Sequence, residues 1–153
     1  MVKKTHVQGG FLISLVTNPI VLGIMPNVSS MTYKIVLTDV YIYGAYFGSM
    51  LPDIDMKGSY ISKMMPMVHK VFGKRFKHRG FTHSLLLLVI MYFAFKILSI
   101  MSQGEYAIDM FFSGILMGCI SHIVLDLFTK EGVVLFYPIP KSISLTSLKT
   151  NSP

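Results

Sequence analysis

The sequence predicts an all-α fold: an integral membrane bundle of about four helices, with a metal site gathered at their cytoplasmic ends. Three observations carry this expectation. The 153-residue chain is 52% hydrophobic and only 14% charged, an apolar excess that a small water-soluble domain has too little interior to bury. Its apolar residues fall into four segments of helix length. Its basic residues gather at one end of those segments, the end that the positive-inside rule assigns to the cytoplasm.

The first segment covers residues 10–25, with Asn18-Pro19 inside it; the proline removes a backbone donor and is expected to kink or interrupt the helix. A half-inserted or re-entrant first segment is the alternative. The run lacks a small-residue cleavage site, so it is read as a membrane helix and not as a cleaved signal. Turn formers Pro26, Asn27, Ser29 and Ser30 follow. The second segment covers 35–51 and is closed by Pro52. The third, 84–101, opens with Leu85-Leu86-Leu87-Leu88 and is the most apolar. After the short polar stretch 102–105, the fourth covers 106–128. All four approach the roughly 17–25 residues that cross a bilayer as a helix. One domain is expected over 1–140, followed by a mobile Ser/Thr/Lys-rich tail over 141–153.

Orientation follows from the 14 basic residues. Lys34 lies on one side and Lys96 within a segment. The others flank the opposite ends: Lys3 and Lys4, the connection from Lys57 to Arg79, and Lys130, Lys141 and Lys149. Both termini and the long connection are therefore expected in the cytoplasm. The net charge of +7 would also suit nucleic acid, but topology accounts for where it sits, so nucleic acid is the less favoured partner and the bilayer the first one. The single cysteine, Cys119, excludes an intramolecular disulfide and reads as a small packing residue.

Four of the five histidines and three of the seven carboxylates fall in four short runs at the cytoplasmic segment ends. His6 precedes the first segment; Asp53 and Asp55 follow the second; His78, Arg79 and His83 precede the third; His122 and Asp126 end the fourth. An up-down bundle brings these runs to a common depth. Imidazoles and carboxylates at one level suit a divalent cation such as zinc, one ion or two. His122 and Asp126 are i,i+4 and share a helix face. Thr82 or Ser84 is expected to cap the third helix, His78 to sit in a loop, and Arg79 to clamp a phosphate. His69 reads as solvated, and Asp39 and Asp109 as structural groups near the far membrane face. Gly44 and Gly48 on the second segment and Gly114 and Gly118 on the fourth predict close packing of those two helices.

The runs Gly48-Ser49-Met50-Leu51-Pro52-Asp53-Ile54-Asp55, His78-Arg79-Gly80-Phe81-Thr82-His83-Ser84 and Ser121-His122-Ile123-Val124-Leu125-Asp126-Leu127-Phe128-Thr129 together resemble the motif set of the YdjM-like membrane-bound metal-dependent hydrolases. The resemblance extends from about His6 to Pro138. It implies a hydrolase without a defined substrate, and some members are labelled LexA-binding. A more distant similarity is to zinc-dependent phospholipase C and fungal single-strand nucleases, which use a helical His-x-x-x-Asp. That pattern implies His122 and Asp126 as core ligands, with His83, one or both of Asp53 and Asp55, and His6 completing one or two sites. The expected function is a metal-dependent phosphoesterase acting on a lipid-linked or other phosphate ester, with Asp55 or Asp53 positioning or deprotonating water, His78 protonating the leaving group and Arg79 neutralising charge. The alternatives are a non-catalytic membrane adaptor, binding DNA or a regulator through residues 57–79, and a metal-ion carrier. A carrier is disfavoured because its ligands belong near mid-membrane.

Overall fold

The computed structural model describes residues 3–25 and 28–146. Six helices account for the described fold: α1 (Lys3–Ile24), α2 (Met31–Gly48), α3 (Tyr60–Met64), α4 (Pro66–Arg75), α5 (Leu85–Met101) and α6 (Tyr106–Leu127). Short 3-10 turns at Leu51–Asp55 and Phe81–His83 lead out of α2 and into α5. Among the described residues there is no strand, only one antiparallel bridge between Val133 and Ile143.

The polarity of α1 is inside out relative to a helix of a water-soluble bundle. The buried residues of α1 are His6, Gly10, Ser14 and Asn18, one stripe at four-residue spacing, while Phe11, Leu12, Val16, Ile20 and Ile24 face outward. No residue of α5 is buried, and Phe93 and Ile100 are 61% and 77% exposed. In water each such side chain forgoes about 1.5–3 kcal/mol of transfer free energy. Ten of them would offset the roughly 5–15 kcal/mol of net stability typical of a domain. A lipid environment removes that cost, and small or polar residues are then what helices pack with. By length and composition α1 and α6 are each able to cross a membrane, and α5 is a shorter apolar helix.

Glycines set the central contact. A Cβ on Gly48 would stand 2.1 Å from the Ile115 carbonyl oxygen, and one on Gly118 2.2 Å from that of Ala45. Gly44 and Gly114 make the same kind of approach to Phe111 and Tyr41. These contacts run in step along both helices, so α2 and α6 are parallel and their backbones touch, as the glycine spacing predicts. α1 packs antiparallel to α2, with Gly10 against Ala45 and Ser49 and Asn18 Nδ2 donating to Thr38 Oγ1 at 3.1 Å. α5 leans on α6 through the stacked rings of Phe95 and Phe112. This order brings the start of α1, the ends of α2 and α6, and the start of α5 to one end of the bundle.

Several expectations need correction. α1 continues through Pro19: the ring lies on the exposed outer face, so it costs one backbone hydrogen bond and displaces no neighbour. α2 begins at Met31, four residues earlier than expected, which puts Asp39 halfway along it and not near its far end. His69 is half-buried; its Nδ1 lies 2.7 Å from the Ile54 carbonyl and fastens α4 to the 3-10 turn. Residues 141–146 fold back on the chain: Val133 and Ile143 exchange both backbone bonds, and Leu145 N donates to Leu127 O at 2.7 Å. Of the expected tail, 147–153 lies outside the described residues, as do Pro26 and Asn27.

Candidate metal centre

Each ligand-bearing run is shaped by its local backbone. Pro52 occupies the first turn of Leu51–Asp55. A 3-10 turn holds about three residues, so Asp53 and Asp55 project in different directions. Ser84 caps α5 by accepting from Leu87 N, which frees Thr82 for a different use. Arg79 sits in the preceding turn with a positive φ of 62°, a conformation few non-glycine residues adopt.

Two histidines have their protons fixed by neighbours. His122 Nδ1 is 2.6 Å from the Ser49 carbonyl oxygen; a carbonyl only accepts, so the proton is on Nδ1 and Nε2 is bare. Thr82 Oγ1 donates to Asp55 Oδ2 at 2.5 Å, which uses its one proton, so it accepts from His83 Nδ1 at 3.0 Å. His83 Nε2 is therefore bare as well. Both Nε2 atoms, and Nδ1 of His6, are buried with no hydrogen-bond partner. An unsatisfied buried acceptor costs about 1–3 kcal/mol.

The Nε2 lone pairs of His83 and His122 share one space with two carboxylates. His83 Nε2 lies 3.5 Å from Asp126 Oδ2 and 3.8 Å from Asp53 Oδ1. His122 Nε2 lies 3.6 Å from Asp53 Oδ1 and 3.7 Å from Asp126 Oδ2. His6 stacks on the His122 ring at 3.7 Å, its Nε2 3.6 Å from Asp126 Oδ1. Such separations exceed ordinary hydrogen bonds, about 2.7–3.2 Å. They are close to the ligand-to-ligand edges of a tetrahedral shell with bonds near 2.0–2.1 Å, roughly 3.3–3.4 Å. Three overlapping donor groups result: His6, Asp53 and His122; Asp53, His78 and His83; His83, His122 and Asp126. Donor set, bare nitrogens and spacing all fit a divalent cation.

The centre thus unites five of the six residues expected as ligands: His6, Asp53, His83, His122 and Asp126. Asp55 is the exception. Its Oδ1 pairs with His78 Nδ1 at 2.9 Å and its Oδ2 takes the Thr82 proton, so it stands behind the ligands and orients them, as outer partners of metal-bound histidines do. His78 lies in a turn and is the most exposed member of the cluster, its side chain 37% accessible. Arg79 is buried and its guanidinium is already engaged by side chains of this chain. Nη2 holds Asp126 Oδ1 at 3.2 Å, while Nη1 reaches Thr129 Oγ1 at 3.0 Å and Glu131 Oε2 at 2.9 Å. That grip leaves Asp126 Oδ2 facing His83 and His122. Sequence reasoning missed Thr82 as a link, and also Thr129 and the Ser49 carbonyl.

The charges follow the same geometry. Burial holds His83 below the usual imidazole value, against the pull of Asp126, so it is a neutral, ligand-competent ring at neutral pH. For His78, burial acts downward and the Asp55 carboxylate outweighs it, raising the imidazole.

The profile of the family described as "YdjM inner membrane protein" matches residues 1–153. The chain is 31% identical over 139 residues to "Uncharacterized protein YvsG" of Bacillus subtilis, covering 90% of this chain and 74% of that one. It is 34% identical over 89 residues to "Inner membrane protein YdjM" of Escherichia coli and, equally, of Shigella flexneri, covering 58% of this chain. It spans 44% of the length of those two proteins. No solved structure matches the chain. With a profile match over its full length, the chain is a membrane protein of the YdjM inner membrane protein family.

Proposed function

We propose that this protein is a metal-dependent hydrolase of phosphate esters, crossing the membrane with α1, α2, α5 and α6 and presenting the metal centre and both termini to the cytoplasm. The observation that carries the reading is the pair of buried, bare Nε2 atoms on His83 and His122, aimed at one space with Asp53 and Asp126. His6, Asp53, His83, His122 and Asp126 would hold the cation. Bound there, a divalent ion supplies Lewis acidity toward a phosphoryl oxygen and makes water a competent nucleophile near neutral pH.

The chain's own groups supply the rest. Asp55 and Thr82 hold His83 in one tautomer; the Ser49 carbonyl does the same for His122; Arg79 aims Asp126. His78, paired with Asp55 at the exposed edge, is the proton donor to the departing oxygen. The water oxygen bonds to phosphorus and gives its proton to bulk solvent, the ester P–O bond breaks, and the departing oxygen takes the His78 proton and leaves as an alcohol, solvent then returning a proton to His78. General acid catalysis of this kind contributes about 10²–10⁴-fold. Location at one end of the bundle, and not in its middle, favours hydrolysis at the membrane surface over transport.

The test is hydrolysis of a panel of phosphomonoesters, phosphodiesters and phosphorylated lipids by purified full-length protein, with His122→Ala as control. Chelator-sensitive turnover that His122→Ala abolishes is expected; turnover indifferent to both would refute the reading. Orientation is checked by labelling single cysteines introduced at Lys57 and Lys34 in intact cells. Only the second is expected to react with an impermeant reagent, and the reverse pattern would overturn the assignment.

A further inference from the structure

A cavity of about 600 Å³ opens beside the exposed edge of the centre, between the turn that carries His78 and the chain following α6. His78 belongs both to this cavity and to the donor group with Asp53 and His83, so whatever fills the cavity lies against the reacting edge. Its wall is an aromatic box: Phe76 and Phe81 stack at 4.5 Å, and Tyr137 meets both edge-on. Arg75 and Lys77 line its rim and are exposed. Glu131 also lines it, but that carboxylate is matched by Arg79 at 2.9 Å, which leaves the rim a net excess of two cations. The expected occupant is anionic.

The surroundings indicate where the anion comes from. Leu85 N, at the first residue of α5, donates to Leu135 O at 3.0 Å, which joins the segment behind the cavity to the outward apolar face of that helix. Leu85, Leu86, Val89 and Ile90 are exposed there, and Phe136, beside the cavity wall, is 54% exposed. A headgroup in the cavity would keep its chains in this apolar belt, with no extraction from the bilayer. A soluble phosphate would leave the belt unused.

We propose that this cavity is the headgroup subsite, taking the phosphate of an anionic membrane lipid, with Arg75 and Lys77 as its specificity-determining cations. This rests on the phosphoesterase reading and names its substrate class. The two residues touch the headgroup and hold no ligand of the metal centre, so they govern binding while the metal stays in place.

The experiment measures binding of a non-hydrolysable short-chain phosphatidic acid phosphonate to the metal-loaded full chain in phosphatidylcholine nanodiscs, by calorimetry. Loss of two charge-assisted contacts sets the expected scale. Arg75→Gln/Lys77→Gln weakens binding about tenfold or more, with metal content as in the wild type. Lys57→Gln/Lys63→Gln, on the same basic connection but outside the cavity, changes it less than about twofold. The same phosphonate headgroup without acyl chains binds at least about tenfold more weakly.

Undiminished binding in Arg75→Gln/Lys77→Gln, or an equal loss in the Lys57/Lys63 pair, overturns the subsite. Equal binding of the chainless headgroup overturns the lipid assignment in favour of a soluble phosphate. Metal content and turnover, read on the same samples, separate the two proposals. Lipid binding that depends on Arg75 and Lys77 without metal-dependent turnover strikes the hydrolase reading alone. Intact turnover with binding indifferent to those residues strikes the subsite alone.

Discussion

Replacing Thr82 with valine removes one oxygen and nothing else of comparable size, and it tests whether His83 is held as a ligand. The hydroxyl donates to Asp55 Oδ2 at 2.5 Å and accepts from His83 Nδ1 at 3.0 Å, and the residue is fully buried. In Thr82→Val the His83 Nδ1 proton loses its acceptor and Asp55 keeps only His78. The ring is then free to move its proton to Nε2, the position that must stay bare. Loss of an outer partner of a metal-bound histidine costs about 10–100-fold in metal affinity, which is roughly 1.4–2.7 kcal/mol. A competition titration of zinc between the purified protein and a chromophoric chelator measures this directly. Thr82→Ser retains the hydroxyl and is expected within about threefold of wild type, a margin well below the 10–100-fold effect. The reasoning is refuted if Thr82→Val binds zinc as tightly as the wild type, or if valine and serine weaken it equally.

Other changes probe the scaffold and the proton donor. Gly118→Ala places a methyl group 2.2 Å from the Ala45 carbonyl oxygen and 2.6 Å from Ser49 N. It is expected to cost about 1–3 kcal/mol of stability and, by shifting the Ser49 carbonyl, to weaken metal binding too; thermal unfolding in detergent with unchanged midpoint would contradict this. Asp55 raises the His78 imidazole above its usual value of 6.5, so the protonated acid is abundant at neutral pH and is lost as pH rises through the raised value. Turnover is therefore expected to fall on the alkaline side, and His78→Gln to lower the rate and remove that limb. A His78→Gln profile that keeps the same alkaline fall would assign the limb to another group.

The fold was legible because its two strongest signals are global. Apolar segments of membrane length give the helices, and their up-down alternation predicts residues as far apart as His6 and Asp126 at one end of the bundle. The glycines at positions 44, 48, 114 and 118 foretell a contact in which backbones touch. What the pattern does not disclose is that this contact also delivers the Ser49 carbonyl to His122.

Finer assignments depend on local geometry that spacing leaves open. Asp53-x-Asp55 offers two carboxylates with equal claim to the metal, and only a 3-10 turn separates them by about 240° around its axis, one facing the histidines and the other the outer shell. Arg79 reads as a phosphate clamp in a basic stretch, but its guanidinium is taken up by Asp126, Thr129 and Glu131. The return of residues 141–146 across the 127–133 segment rests on non-local backbone bonds, to which composition is blind. The 57–79 connection likewise conceals two short helices, and His69 among its lysines serves as a fastening to Ile54.

The most direct measurement is elemental analysis of the purified full-length protein together with X-ray absorption at the edge of whatever divalent metal it carries. One or two ions per chain are expected, ligated by a mixture of imidazole nitrogens and carboxylate oxygens, with His83→Ala/His122→Ala empty and still membrane-inserted. Protein that carries no divalent ion after purification and takes up none on addition, or a double variant that keeps the metal in the same environment, would contradict the convergence of these side chains on a shared cation.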